Sequence, residues 1–426
     1  AQEGLGAFQE LDQVAMSAPM TKLSFRAEGA AQMGADMARA MAVAAAGRPG
    51  PVHLALPFDV VNATAATADA PEAVAPAPLP DLSALTEALA KAVRPIVLTG
   101  PALSATRASA VLALIGAAAD APVLCLESPR GLRDPSLGNV AGVIAEADMI
   151  VSFGKRVDFT LGFGKPASPS MGWWIVDAEA DALGMAERNL GDALAWQGEA
   201  DPVAAAKALE PRPALDAPAR ALWRARVGEL IGTSAVVAAP ERAGEITSPM
   251  LVNAVARAMD NAGKPPVLVA DGGEFGQWAQ AGMTPPERVI NGPSGAIGGG
   301  LCYAIAASKA RPDAAIFALM GDGTTGFHFA EFETAAREGT AFVAVIGNDN
   351  CWNAEHQIQM RDYGADRLIG CDLSNARYDL AAAALGAHGE YVTDAADLDA
   401  ALARALGSGG PACVNVRITG LPAPTV

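Results

Sequence analysis

An α/β fold, with open, mostly parallel sheets covered by helices, is what this sequence predicts, on three observations. Short runs of consecutive apolar residues, such as Ile96-Val97-Leu98 and Val343-Ala344-Val345-Ile346, lack the alternation of a half-exposed strand. Strands buried on both faces read this way. Helical stretches separate these runs, as parallel crossovers require. A glycine-rich turn, Gly321-Asp322-Gly323-Thr324-Thr325-Gly326, directly follows one run, where open parallel sheets place their ligands.

The chain has 426 residues, 51% hydrophobic and 18% charged. That apolar content supports real cores, and the length suggests two to four domains. A first block spans 1–63. It holds a small-residue helix pattern from Ala30 to Ala46, a turn at Gly47-Arg48-Pro49-Gly50-Pro51 and a strand at Val52–Pro57. Residues 64–81, rich in Ala and Pro, read as a linker. A second block, 82–212, starts with helix Leu82–Ala92. Its strands are Pro95–Gly100, Pro122–Leu126, Met149–Gly154 and Trp173–Asp177. A second linker is expected over 213–235. The third block, 236–426, has strand candidates at Pro266–Ala270, Ala315–Met320, Phe342–Ile346 and Ala412–Val416.

The net charge of −17 argues against nucleic acid or an anionic membrane surface as a partner. No apolar run reaches the ~20 residues of a membrane span. The first residues show neither a basic nor an apolar leader segment. The five cysteines are scattered without a CxxC pair, so neither a zinc site nor a disulfide framework is expected, and a reducing, cytoplasmic setting is. His53, His328 and His388 read as structural, and His356 follows Glu355 closely enough to share its surroundings.

The turn at 321–326 has the G-x-G-x-x-G form of a dinucleotide fingerprint. Glycine lets the backbone approach a pyrophosphate, and a helix N-terminus favours the anion. Asp322 changes that reading. A carboxylate beside phosphates repels them unless a cation lies between. A hard divalent ion would bind both sets of oxygens. Asp349 follows Asp322 by 27 residues and ends the next strand, so a strand–helix–strand unit brings the two side by side. A metal–diphosphate site is expected. A dinucleotide site, with Asp349 on a ribose, and a purely structural turn are the rivals.

Gly321-Asp322-Gly323, followed after a helix and a strand by Asn348-Asp349, resembles the thiamine-diphosphate motif of the family of acetolactate synthase, pyruvate decarboxylase and 2-hydroxyacyl-coenzyme A lyase. The resemblance covers nearly the whole chain. Gly47–Val52 with Leu56–Val60 is similar to the end of that family's pyrimidine-binding domain, and Gly4–Glu10 to its Ala-Phe-Gln-Glu stretch. Ala147–Val151 with Gly154–Asp158 resembles its central domain.

The resemblance implies roles. Asp322, Asp349 and the backbone carbonyl of Cys351 would ligate Mg2+, with Gly321, Gly323 and Thr324 at the diphosphate. Gly272, Gly273, Glu274 and Phe275 stand where relatives carry a diphosphate-contacting loop, here expected to act through its backbone. Ile297 would hold the cofactor in a V shape, and the Gly295 carbonyl would accept from its aminopyrimidine. Glu355 would handle a proton beside the thiazolium. Phe8 and Gln9 would reach the active site of a partner subunit. Ile358 stands where acetolactate synthases carry a tryptophan. The central block lacks the flavin branch's loop, so FAD is not expected, while coenzyme A or a nucleotide remains open there.

The implied reaction is decarboxylation of a 2-oxo acid, with or without ligation to a second carbonyl, by a homodimer or homotetramer. A lyase of 2-hydroxyacyl-coenzyme A is the alternative, with an acyl-coenzyme A substrate. The glutamate that activates the pyrimidine ring lies, in relatives, well upstream of the stretch that starts here at Ala7. It is therefore expected outside these residues, since neither Glu3 nor Glu10 can replace it. An incomplete first domain follows as an expectation, with an inactive cofactor-binding module as a further alternative.

Overall fold

The structure is a computed structural model that describes residues 4–65, 78–167, 169–232, 244–292 and 294–424. Glu3, Pro293 and residues 66–77 of the expected first linker lie outside the described residues. The strands are β1 (Ser24–Arg26), β2 (His53–Ala55), β3 (Pro95–Thr99), β4 (Val123–Cys125), β5 (Met149–Phe153), β6 (Trp173–Asp177), β7 (Leu194–Glu199), β8 (Pro266–Ala270), β9 (Glu287–Ile290), β10 (Ala315–Gly321), β11 (Phe342–Asn348), β12 (His388–Val392) and β13 (Pro411–Arg417).

They form three sheets with the orders β1-β2, β4-β3-β5-β6-β7 and β12-β13-β11-β10-β8-β9. Every strand pairing among them is parallel. The expected fold class is the observed one. Successive side chains explain the unbroken apolar runs. Phe317 and Leu319 of β10 enter one hydrophobic core, while Ile316, Ala318 and Met320 enter the core on the opposite face. The central sheet does the same, with Ile96 and Leu98 on one side and Val97 on the other. Alternation is invisible in a sequence when both faces are dry.

The span 213–235, expected as a linker, needs correction. It contains a helix, Ala217–Gly232, whose Arg220, Trp223, Val227 and Leu230 are buried. Trp223 Nε1 donates to the Pro95 carbonyl at 2.8 Å. The Arg220 guanidinium donates to the carbonyls of Leu89, Ala92, Ala119 and Asp120. Those carbonyls belong to the C-terminal ends of helices Ser83–Lys91 and Ala105–Ala119. Helix ends leave such acceptors unpaired, and a cation there satisfies them. The helix is therefore part of the central core.

The three sheet-bearing regions touch through specific pairs. Arg48 of the first block reaches Asp177 and Glu179 at the end of β6, each at 2.8 Å. Arg288 of β9 pairs with Glu127 at 2.8 Å. Arg130 Nη2 donates to the Pro424 carbonyl at 2.7 Å. No helix among the described residues is long and apolar enough to cross a membrane.

Candidate cofactor and metal site

In the third sheet the strand order reverses between β8 and β10, and a ligand crevice belongs at the carboxyl ends of those strands. The loops that leave β8, β10 and β11 carry most of the residues expected at the site. Gly321 and Gly347 are register partners on β10 and β11. Asp322 and Asp349 therefore follow at adjoining strand ends, as the spacing predicts.

Asp322 is 2% exposed. Its Oδ1 accepts from the Gly323 N–H at 3.0 Å, while Oδ2 is buried with no hydrogen-bond partner. Asp349 Oδ1 accepts from the Cys351 N–H at 3.2 Å. Burial pushes the Asp322 carboxyl up to about 6. Burial, and then the charge of Asp322, push Asp349 up to about 7. An orphaned buried oxygen costs free energy, and like charges this close invite a cation between them.

A divalent ion fits this donor set. Among the described residues no group of three His, Cys, Asp or Glu side chains could hold a metal, so an ion here would need a donor beyond the two carboxylates. Cys351 offers one. It faces Asp372 in an antiparallel bridge closed by hydrogen bonds on either side, from Trp352 N–H to Cys371 and from Leu373 N–H to Asn350. The bridge does not use the carbonyl of Cys351 itself. Its thiol lies 3.6 Å from His356 Nδ1 and is pushed up to about 12, first by burial and next by Asp349.

The crevice walls are built by close approach. A Cβ on Gly272 would lie 2.4 Å from Cγ2 of Ile297, and one on Gly323 would lie 2.6 Å from the Trp352 ring. Ile297 thus sits directly over the end of β8, and Trp352 over the turn after β10. Phe327 meets Trp352 edge-on at 6.2 Å. Gly272 and Gly273 stand at the start of helix Gly273–Gly282. Gly295 is exposed in a turn with φ of +66°.

Several of the named side chains are engaged elsewhere, including those of the Gly272–Phe275 loop that was expected to act through its backbone. Phe275 is 4% exposed and its ring lies against Gly347, so it belongs to the core. Glu274 accepts from the Ala423 N–H at 3.2 Å, and burial raises its pKa. The Thr324 hydroxyl donates to the Gly321 carbonyl at 3.1 Å, which leaves its backbone N–H as the group it offers an anion. Glu355 is exposed in the first turn of helix Asn353–Tyr363, so this chain by itself gives it no buried surroundings. Phe8, 93% exposed, and Gln9 line an open groove with Phe25, Arg39, Leu56 and Phe58. That groove lies wholly within the first block, and the chain does not bring Phe8 or Gln9 to the carboxylate pair.

Sequence reasoning missed three supporting residues. Asp271, buried after β8, accepts from the N–H groups of Gly272, Gly298 and Gly300, and so ties the Ile297 loop to the strand end. Tyr378 donates its hydroxyl to the Asp322 carbonyl at 3.1 Å. Asn348 Nδ2 donates to Asn415 Oδ1 at 3.1 Å, bracing the turn before Asp349. Asp271 had a sequence signal in its place directly before Gly272-Gly273, and Asn348 in its place in the motif, though its bracing role was not read. Tyr378 and Asn348 act across 56 and 67 residues.

Comparison with known proteins agrees with this geometry. Residues 271–416 match the family described as "Thiamine pyrophosphate enzyme, C-terminal TPP binding domain". A probable acetolactate synthase of Mycobacterium bovis is 30% identical, over 97% of this chain and 76% of its own length. The acetolactate synthase isozyme 1 large subunit of Escherichia coli is 27% identical, over 97% and 75%. A 2-hydroxyacyl-CoA lyase of Oryza sativa is 25% identical, over 97% and 77%. With its paired carboxylates in the matched thiamine-diphosphate-binding domain, the chain belongs to the thiamine-diphosphate enzyme family of acetolactate synthases and 2-hydroxyacyl-CoA lyases.

Proposed function

We propose that this chain carries a thiamine-diphosphate- and Mg2+-dependent activity that breaks or forms a carbon–carbon bond next to a carbonyl, with a 2-oxo acid as donor. One observation carries the reading: Asp322 and Asp349 at neighbouring strand ends, with the Asp322 Oδ2 buried and unpartnered. Asp322, Asp349 and the carbonyl of Cys351 would hold Mg2+, which would in turn carry the diphosphate. The backbone at Gly272, Gly273, Gly321, Gly323 and Thr324 would line the phosphate end, and Ile297 and Gly295 the pyrimidine end. When bound, thiamine diphosphate supplies a carbon nucleophile and an electron sink.

This chain's residues orient and shield. The Trp352 and Phe327 rings, which meet edge-on, would wall one side of the crevice. Glu355, exposed in the first turn of helix Asn353–Tyr363, would move a proton at the substrate once a second copy covers it. A second copy would supply the cover. Phe8 and Phe58 are 93% and 85% exposed, and Tyr303, Phe327 and Ile358 are exposed in the third region. These faces support a homodimer or homotetramer in which Phe8 and Gln9 of one copy meet the crevice of another. The five cysteines, none in a disulfide, suit a cytoplasmic setting.

A second reading, cleavage of a 2-hydroxyacyl-coenzyme A, is favoured by the lyase relatives. Incubation with 2-oxo acids, thiamine diphosphate and Mg2+, in a protein that includes the upstream segment expected to carry the activating glutamate, should release CO2, and Asp322→Ala should abolish that release. Formyl-coenzyme A from a 2-hydroxyacyl-coenzyme A, without CO2, would select the second reading. Bound cofactor with neither product would mark an inactive module, and full turnover by Asp322→Ala would overturn the metal assignment.

A further inference from the structure

We propose that the Asp322–Asp349 pair lets this chain take up its divalent cation before thiamine diphosphate and independently of it. The inference deepens the preceding reading and rests on it. Both carboxylates are held in place by the protein. Asp322 is fixed through the Gly323 N–H on Oδ1 and through Tyr378 on its carbonyl. Asp349 is fixed through the Cys351 N–H, and Gly420 closes over its Oδ2, where an added Cβ would lie at 3.0 Å. The guanidinium of Arg417 on β13 donates to the Asn348 carbonyl. Asp322 Oδ2, in a side chain 2% exposed, is buried without a hydrogen bond. A pre-formed, desolvated pair of carboxylates is a cation site with its oxygens already stripped of water.

Charge then decides the order of assembly. A divalent ion between two carboxylates is a neutral set. The same ion between a carboxylate and an amide keeps one positive charge. A diphosphate is drawn less strongly to the neutral set, since Coulomb attraction scales with net charge. Asp349 therefore raises affinity for the bare cation and lowers affinity for thiamine diphosphate once the cation is bound. Those opposite signs separate the effect from structural damage, which weakens both.

The full chain, freed of metal, is titrated with Mn2+ alone while the paramagnetic resonance signal of free Mn2+ is followed. Thiamine diphosphate is then titrated calorimetrically at saturating Mn2+. The wild-type chain should take up Mn2+ without cofactor. Asp349→Asn, nearly isosteric, should bind Mn2+ alone about tenfold more weakly, and thiamine diphosphate at saturating Mn2+ a few-fold more tightly. Asp322→Asn should lose cation uptake. Should Asp349→Asn fail to fold by circular dichroism, Asp349→Ser is expected to show the same two signs. If wild type retains Mn2+ only with thiamine diphosphate present, or if Asp349→Asn weakens both titrations alike, this inference is overturned and the cofactor reading stands. If neither ligand binds in any combination, both fall.

Discussion

The first and third regions of this chain manage apolar residues in opposite ways. The third builds a six-stranded sheet with a core on each face, and its strands β8, β10 and β11 are almost wholly buried. The first has a two-stranded sheet, and it exposes Leu5, Phe8, Met20, Met41 and Phe58. Two parallel strands alone are too little to be independently stable. The metal end of the proposed site is thus intrinsic to one rigid sheet. The end that would receive Phe8 and Gln9 depends on something outside these contacts. A site divided as proposed would have one half that folding builds and another that association completes.

The comparison is sharpened most strongly by damaging a self-contained core. Trp223→Ala removes a buried indole and its bond to the Pro95 carbonyl, and should cost about 3–5 kcal/mol. Chemical denaturation would measure it. A loss under 1 kcal/mol would return Ala217–Gly232 to linker status.

A more moderate effect concerns pH. The Asp322 and Asp349 carboxyls sit at about 6 and about 7, above their ordinary 3.8. The folded chain therefore holds protons that the unfolded chain has already released. Without metal, stability should fall as pH rises from about 4 to about 7 and level off above. Mg2+ with thiamine diphosphate should restore it at pH 7.5 and do little at pH 5. Melting temperatures at the two pH values, with and without ligands, test this. An unliganded melting temperature indifferent to pH between them would speak against the paired burial.

The smallest effect is expected in the first region. Phe58→Ser alters a side chain 85% exposed and should change stability within about 0.5 kcal/mol. Sedimentation should nevertheless show weaker self-association. A large loss of stability with unchanged mass would mean that the face is already packed within one chain.

Most strands legible in the sequence are buried on both sides, such as Ile96-Val97-Leu98 and Phe342–Ile346, although β2 and β4, at sheet edges, are apolar enough to be read as well. Four others, β1, β7, β9 and β12, went unread. Each lies at a sheet edge and carries polar residues, as in Trp196-Gln197, Glu287-Arg288 and His388-Gly389-Glu390. An edge strand has water on one side, so its composition approaches that of a loop. Helix Ala217–Gly232 was hidden by the prolines before it, although Arg220, Trp223, Val227 and Leu230 repeat at helical spacing.

Sequence alone determined that two carboxylates meet at neighbouring strand ends. Glycine at 321 and 323, a carboxylate between them and a second one a strand–helix–strand later are local and periodic signals, and parallel strand order turns that interval into adjacency. Tertiary structure alone decided which expected side chains face the crevice. Phe275 turned into the core, Glu355 stayed in water, and Asp271, Asn348 and Tyr378 entered as supports. Orientation and burial depend on which neighbours compete for space, and those neighbours come from 27 to 67 residues away, beyond the reach of any local pattern.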